Sequence, residues 1–193
     1  MTTLGLGGAV LLMFAHGLSV ALSFMLATAI YQRTDTYDMS EMGGLAGRTP
    51  VLAAFFVAAT LASIGLPGFA NFWGELSIFV ALWQMSPWVC ALAILGIVIS
   101  AVYGLRAVSA IFFGNKQSFS DARDLGWVER VPALILFGAL LVVGLFPNTL
   151  TRMVDAAFAS DLQEEWALAA PESLVHIDHS VAEKDAPDSS DTL

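Results

Sequence analysis

The sequence predicts an all-α, polytopic transmembrane helix bundle of about four spans, one of them discontinuous. Three observations predict it. Of 193 residues, 57% are hydrophobic and only 13% charged, roughly half the charge with which a soluble domain covers its surface. Long runs of the chain carry almost no Asp, Glu, Lys or Arg. One run is interrupted by Gly65-Leu66-Pro67-Gly68, which a straight helix does not accommodate. The same composition argues against a soluble enzyme, and against a disordered chain, which needs low hydrophobicity to stay unfolded. Residues 1–152 hold seven acids and seven bases, and residues 153–193 hold ten acids and one lysine, so the net charge of −9 belongs to the tail. A nucleic-acid binder would show a clustered basic stripe instead. A single cysteine, Cys90, excludes an internal disulfide and a Cys-based zinc site, and it reads as a small buried hydrophobe.

The first span, about 4–31, has His16 as its only ionisable group before the terminal Tyr31 and exceeds the ~20 apolar residues needed to cross hydrocarbon. It is no signal peptide, having no preceding base and about twice the usual apolar length. The second stretch, 50–85, is interrupted only by Glu75. As one helix it would measure ~54 Å, so a break is expected near 65–74, where Pro67 has no N–H to offer the Ser63 carbonyl. The third span, 87–114, contains Arg106 as its one charge, and the fourth, 131–147, runs from Pro132 near its start to Pro147. These spans form a body over 1–147. Beyond it, Leu150, Val154, Ala157, Phe158, Leu162 and Trp166 recur at helical spacing, predicting an amphipathic or interfacial helix over 148–170. Residues 171–193 are rich in Asp, Ser, Glu and Pro and read as an acidic disordered tail. His176 and His179 lie in that tail without partner ligands, so no metal site is expected. The loop at 32–49 carries Arg33 and Arg48, the loop at 115–130 carries Lys116, Arg123 and Arg130, and the turn near Ser86 has no base. The positive-inside bias then puts both long loops in the cytoplasm and both termini outside.

A charge in hydrocarbon costs about 2.5–3.5 kcal/mol on insertion scales, so each ionisable group in a span asks for a reason. His16 shares a helix face with Ser19, Ser23 and Gly8. Such a stripe serves either as interhelical glue or as part of a proton relay. Glu75 follows the break, near the start of a second half-helix. Hydrocarbon penalises its charged form, the positive helix end favours it, and freed backbone groups around Pro67 and Gly68 need water or partners beside it. Broken helices next to an intramembrane carboxyl recur in ion transporters; the alternative is a salt bridge tying two helices. Arg106 is close enough to its span end to snorkel or to form a structural pair, with Tyr103 and Ser109 as local polar company. The trios Asp35, Asp38, Glu41 and Asp121, Asp124, Glu129 read as solvated loop faces.

The stretches GGAVLLMFAHGLSVALSFMLATAIYQRTDT over 7–36 and MGGLAGRTPVLAAFFVAATLASIGLPGFANFWGE over 42–75 resemble the proton-pumping, antiporter-like membrane subunits of respiratory complex I. Within them the match is nearest the subunit M family of NADH–quinone oxidoreductase, the mitochondrial subunit 4 family, and it fades beyond Gly114. The resemblance implies that His16 matches the histidine of the eleventh helix and Glu75 the terminal charged residue of the broken twelfth helix. Sibling subunits L and N and the Mrp-type cation/proton antiporters carry lysine there, whereas Phe72-Trp73-Gly74-Glu75 has glutamate. It implies, further, a multi-pass protein of the bacterial inner membrane, partnered by other complex I membrane subunits, including antiporter-like neighbours, and by lipid, not by nucleic acid. Flavin, iron–sulfur clusters and quinone are expected on partner subunits, with no cofactor, metal or redox centre on this chain. The proton-transfer candidates are then Glu75 and His16, supported by Ser19, Ser23, Pro67, Gly68 and Arg106. The chain departs from the family pattern in supplying only the last four of about fourteen helices, which is expected of a split gene product, a truncation or a fragment. A cation/proton antiporter of the Mrp type, an antiporter-like subunit of a membrane-bound hydrogenase, and a non-transporting membrane scaffold are the alternatives.

Overall fold

A computed structural model describes residues 3–114, 119, 121–148, 152 and 156. Among them are five α-helices: α1 (Thr3–Thr34), α2 (Pro50–Ser63), α3 (Ala70–Met85), α4 (Pro87–Phe112) and α5 (Trp127–Leu145), with a 3-10 turn at Leu45–Gly47. All belong to one compact unit, Met1–Val154. The helix expected over 148–170 lies almost wholly outside the described residues, and the acidic tail over 171–193, with His176 and His179, lies wholly outside them.

α1, α4 and α5 are each long and apolar enough to cross a membrane. α2 and α3 have 14 and 16 residues, or about 21 and 24 Å, each short of the ~30 Å hydrocarbon core. Together they make the fourth crossing. Their contacts with α1 show it: α1 carries Ser19 against Asn71 and, further back, Gly8 against Ser77, so α3 descends as α1 ascends. At the other end Arg33 of α1 binds the loop that also caps the first turn of α2. The two half-helices therefore run in one direction, antiparallel to α1.

The break occupies Ile64–Phe69 and is tighter than expected, with Asn71 and Gly74 already inside α3. Glycines at both ends make the compression possible: Gly65 has φ +79° and Gly68 φ +105°, a region that L-residues rarely adopt. A second difference is that α5 starts at Trp127 rather than at 131. Glu129 allows the early start, because its Oε2 accepts the Gly126 N–H at 2.8 Å, and Pro132 then falls only one turn further in.

Leu11, Ala15, Leu22 and Leu26 form the buried stripe of α1, spaced as one helix face requires. Opposite lie Ala59 and Ala62 of α2, Ala70 of α3 and Leu140 of α5, all buried. α4 packs on α3 and α2 by one edge and leaves Leu92, Leu95, Val98 and Ile99 exposed, as a lipid-facing helix does. Trp83 and Trp88 are exposed near the α3–α4 turn and Trp127 at the far end of the bundle, the placement of aromatic belts at the two interfaces.

Asp124 and Glu129, expected to be solvated, instead hold the Trp127 end together. Arg33 grips Glu129 through two hydrogen bonds, Nη1–Oε1 at 3.0 Å and Nη2–Oε2 at 2.7 Å, and donates from Nε to the Arg123 carbonyl at 2.6 Å. Asp124 accepts the backbone N–H groups of Val51 and Leu52 at 2.9 and 3.0 Å. Those are orphan donors of the first turn of α2, which Thr49 does not serve because its hydroxyl turns back to the Leu45 carbonyl. A carboxylate more than 70 positions away in the chain thus caps α2.

Burial alone would push the Asp124 carboxyl up. The three N–H groups of Val51, Leu52 and Leu125 and the charge of Arg130 outweigh it and hold the carboxyl below the usual aspartate range. The ionised form is therefore favoured by folding: its contribution is complete above the ordinary aspartate value of about 4 and is lost as pH falls through the lowered folded value. Asp124→Ala is expected to destabilise the bundle by about 1–2 kcal/mol and to weaken the acid-side dependence of stability, both read from melting of the detergent-solubilised protein across pH.

Candidate functional site

The site is built at the break between α2 and α3. α2 ends at Ser63, the chain turns through Gly65-Leu66-Pro67-Gly68, and α3 resumes at Ala70. Within the turn the Gly65 N–H reaches the Ala62 carbonyl at 3.1 Å and the Leu66 N–H the Leu61 carbonyl at 3.1 Å, so the end of α2 is closed by backbone bonds. α5 covers the other side. Gly144 packs directly on the backbone of Gly68 and Phe69, and its carbonyl accepts the Trp73 indole N–H at 2.6 Å. Phe137 of α5 stands between Phe55 and Phe69, with ring centroids 5.9 and 6.0 Å away.

α1 closes the third side through glycine. A Cβ on Gly74 would lie 2.7 Å from the Leu12 Cβ and 2.9 Å from its Cα, and one on Gly8 would lie 2.6 Å from the Ser77 Cβ. The two backbones come this close because at each contact one of the two helices presents a glycine, as in small-residue crossings of membrane helices. This approach brings Ser19, fully buried, within reach of Asn71, whose Nδ2 donates to its Oγ at 3.2 Å.

Glu75 sits one turn beyond Asn71 and is half-buried. Its carboxyl folds back over the turn at Gly65: a Cβ added there would meet the Glu75 Oε2 and lie 2.7 Å from Cδ. Among the described residues no hydrogen-bond donor or cation pairs with this carboxyl. The tie to another helix that was the alternative reading is thus not made within the described residues. Glu75 is the sixth residue of α3, past the first turn in which the positive helix end is felt. The positive helix end expected beside it is therefore more than a turn away.

The remaining candidates fall as follows. Pro67 and Gly68 lie in the break. Ser23 is partly buried and bonds back to the Ser19 carbonyl at 2.8 Å. His16 is exposed on the outer side of α1, and its imidazole has no described partner; the bundle does not bring it to Glu75. Arg106 is exposed on α4, while Tyr103 accepts a hydrogen bond from Ser100 at 2.9 Å rather than from Arg106. Sequence reasoning passed over Asn71 and Trp73 as functional groups. The available signal for Asn71 was its i−4 relation to Glu75 in an apolar half-helix; nothing in the sequence pointed Trp73 at Gly144. An open cleft of about 520 Å³, lined by Gln32, Arg33, Phe119, Asp121, Arg123 and Glu129, lies at the Trp127 end and includes no residue of the break.

A discontinuous crossing, with a carboxyl beside the break that has no partner among the described residues, set among helices long and apolar enough to cross a membrane, defines a polytopic helical membrane protein. Residues 1–100 match a family model described as NADH:quinone oxidoreductase/Mrp antiporter, TM, and the chain belongs to that family. It is 37% identical over 171 residues to NADH-quinone oxidoreductase subunit M of Pseudomonas aeruginosa, a match covering 88% of this chain and 33% of that protein. It is 30% identical to subunit M of Rhodobacter capsulatus, covering 82% of this chain and 31% of that one. The chain therefore spans about a third of the length of the curated relatives it matches. Respiratory complex I from Thermus thermophilus contains a chain with TM-score 0.65 and 32% identity, covering 79% of this chain and 36% of that one. A chain of the Mrp complex from Dietzia sp. superposes with TM-score 0.72 at 20% identity, over 81% of this chain and 38% of that one, a likeness of fold alone.

The glycine crossing makes a stability prediction with an internal control. Gly74→Ala forces a methyl against the α1 backbone and is expected to cost about 1–3 kcal/mol. Gly17→Ala, with nothing within 4 Å of the added carbon, is expected to stay within about 1 kcal/mol of wild type, on the stabilising side. Unfolding in mixed micelles separates the two.

Proposed function

We propose that this chain is part of a proton-translocating membrane subunit of an NADH–quinone oxidoreductase, and that Glu75 is a group on which the proton resides during transfer. The observation that carries the reading is the Glu75 carboxyl itself, folded onto Gly65 at a helix break with no described partner to neutralise it. A carboxyl in a span is costly when it has no pairing role, and titration is a role that requires it to be unpaired. Glutamate in Phe72-Trp73-Gly74-Glu75, and relatives named as subunit M, favour this over an Mrp-type or hydrogenase-type antiporter.

His16 is the second proton-transfer candidate. Its outward position on α1 suits contact with a neighbouring helix or membrane subunit, from which a path to Glu75 would have to be completed by water. Ser19, Ser23, Pro67 and Gly68 shape the path and Arg106 lies at its margin. Flavin, iron–sulfur clusters and quinone belong to partner subunits. The loops with Arg33, Arg48, Arg123 and Arg130 face the cytoplasm, and the start of α1 and the end of α5 lie on the periplasmic side of a bacterial inner membrane.

Glu75→Gln keeps size and hydrogen bonding but cannot ionise. In the assembled complex in membrane vesicles, NADH-driven proton translocation is expected to fall several-fold with the amount of complex unchanged. Normal pumping by that variant sinks the proposed role, and loss of assembly before loss of pumping favours the scaffold reading. Glu75→Lys is expected to retain more pumping than Glu75→Gln, because lysine supplies another titratable group.

A further inference from the structure

The contact between Ser19 and Asn71 leaves one atom over. The Ser19 hydroxyl donates to the His16 carbonyl at 3.0 Å, so its proton is committed and its oxygen receives the Asn71 Nδ2 at 3.2 Å. That arrangement fixes which way the amide faces. The amide oxygen, Oδ1, is fully buried and has no hydrogen-bond partner, on a residue only 1% exposed. A buried acceptor left unmade costs about 1–3 kcal/mol, and in folded proteins such atoms typically hold an ordered water when other polar groups stand near.

Glu75 is the ionisable residue of the same helix. It lies at i+4 from Asn71 on α3, a spacing that sets Cβ atoms about 5–6 Å apart on one helix face. Side chains that start that far apart can bring their oxygens to the separation of about 4.5–5.5 Å that two hydrogen bonds of about 2.8 Å through one water require. The Glu75 carboxyl has no described protein partner, and the absence of a side chain at Gly65 leaves it the space it occupies.

We propose that Asn71 is a positioning residue: its Oδ1 holds the water that exchanges protons with Glu75. This rests on the reading of Glu75 as a proton-transfer group. The water donates one hydrogen to the Asn71 Oδ1 and the other to the ionised carboxylate. As that second proton passes to the carboxylate, the water takes another from the adjoining solvent path and is regenerated. In the reverse step the protonated carboxyl donates to the water oxygen, which releases a proton onward. Asn71 never ionises. Ser19 keeps its amide turned so that the oxygen, and not the nitrogen, meets the water.

The test uses the full-length protein in its assembled complex in proteoliposomes. Asn71→Leu keeps the branched shape and has no acceptor; Asn71→Ala leaves room for water. Proton pumping is measured beside the infrared carboxyl stretch of Glu75, identified as the band missing from Glu75→Gln. The leucine variant is expected to pump several-fold more slowly at unchanged abundance, with the band moved to higher frequency. The alanine variant is expected to recover part of both. Normal pumping by Asn71→Leu overturns the proposal, and so does slow pumping with an unmoved band, which is the signature of a merely structural tie. If the leucine variant does not assemble, Ser19→Ala decides the matter, since freeing the amide must move the band. Failure of this proposal alone leaves Glu75→Gln defective and Asn71→Leu normal, whereas normal pumping by both removes the underlying reading of Glu75 as well.

Discussion

An interrupted helix inside hydrocarbon leaves backbone donors and acceptors that have no water to turn to, and the rest of this bundle is arranged around that constraint. The break at Ile64–Phe69 is made by two positive-φ glycines around Pro67. It is shielded by α5, whose Gly144 lies on the Gly68–Phe69 backbone and whose Phe137 fills the space between Phe55 and Phe69. α1 covers the beginning of the second half-helix through the Gly8–Gly74 crossing. Each cover depends on a missing side chain, because only backbone-to-backbone approach leaves no gap. The same cover delivers the polar groups: Ser19 meets Asn71 only because α1 comes so close.

The Trp127 end of the bundle is organised by charge rather than by packing. There Arg33, Asp124 and Glu129 connect the end of α1, the start of α2 and the start of α5. The paired carboxylate and guanidinium are only partly exposed, at 30% and 11%, so solvent screens them less than an exposed pair. This clasp sits about 14 residues, or roughly 21 Å, along α1 from Ser19. It sets how the helices enter the membrane and takes no part in the contacts at the break. The bundle thus separates its charged fastening from the Glu75 carboxyl, which has no described partner, and the intervening turns of α1 carry no charge.

The helical architecture was legible in the sequence because hydrocarbon thickness and charge exclusion act residue by residue. The span ends moved by a few positions. α5 starts early because Glu129 caps it, a local contact whose importance the charge count concealed. Asp124 and Glu129 read as solvated for the same reason: a loop acid looks alike in sequence whether it faces water or a helix start across more than 70 residues of chain. Glu75 was legible as an exception to the apolar run, and Pro67 and Gly68 as the cause of the break. His16 was equally conspicuous, but the fold turns its side chain outward, because Ser19 and the leucine stripe take the inner face of α1.

By itself the sequence determined that this is a membrane-spanning helical protein, that one crossing is broken, and that a carboxyl stands just after the break. Those properties follow from composition, helix length and proline chemistry, none of which needs a neighbour. The tertiary structure alone decided that Glu75 has no described partner, that the amide of Asn71 faces Ser19 with its oxygen left over, and that Asp124 caps a remote helix. These are pairings between distant parts of the chain. They depend on how closely α1 and α5 approach the break, and that distance is set by the glycines at Gly8, Gly74 and Gly144, each of which lets a neighbouring backbone come close.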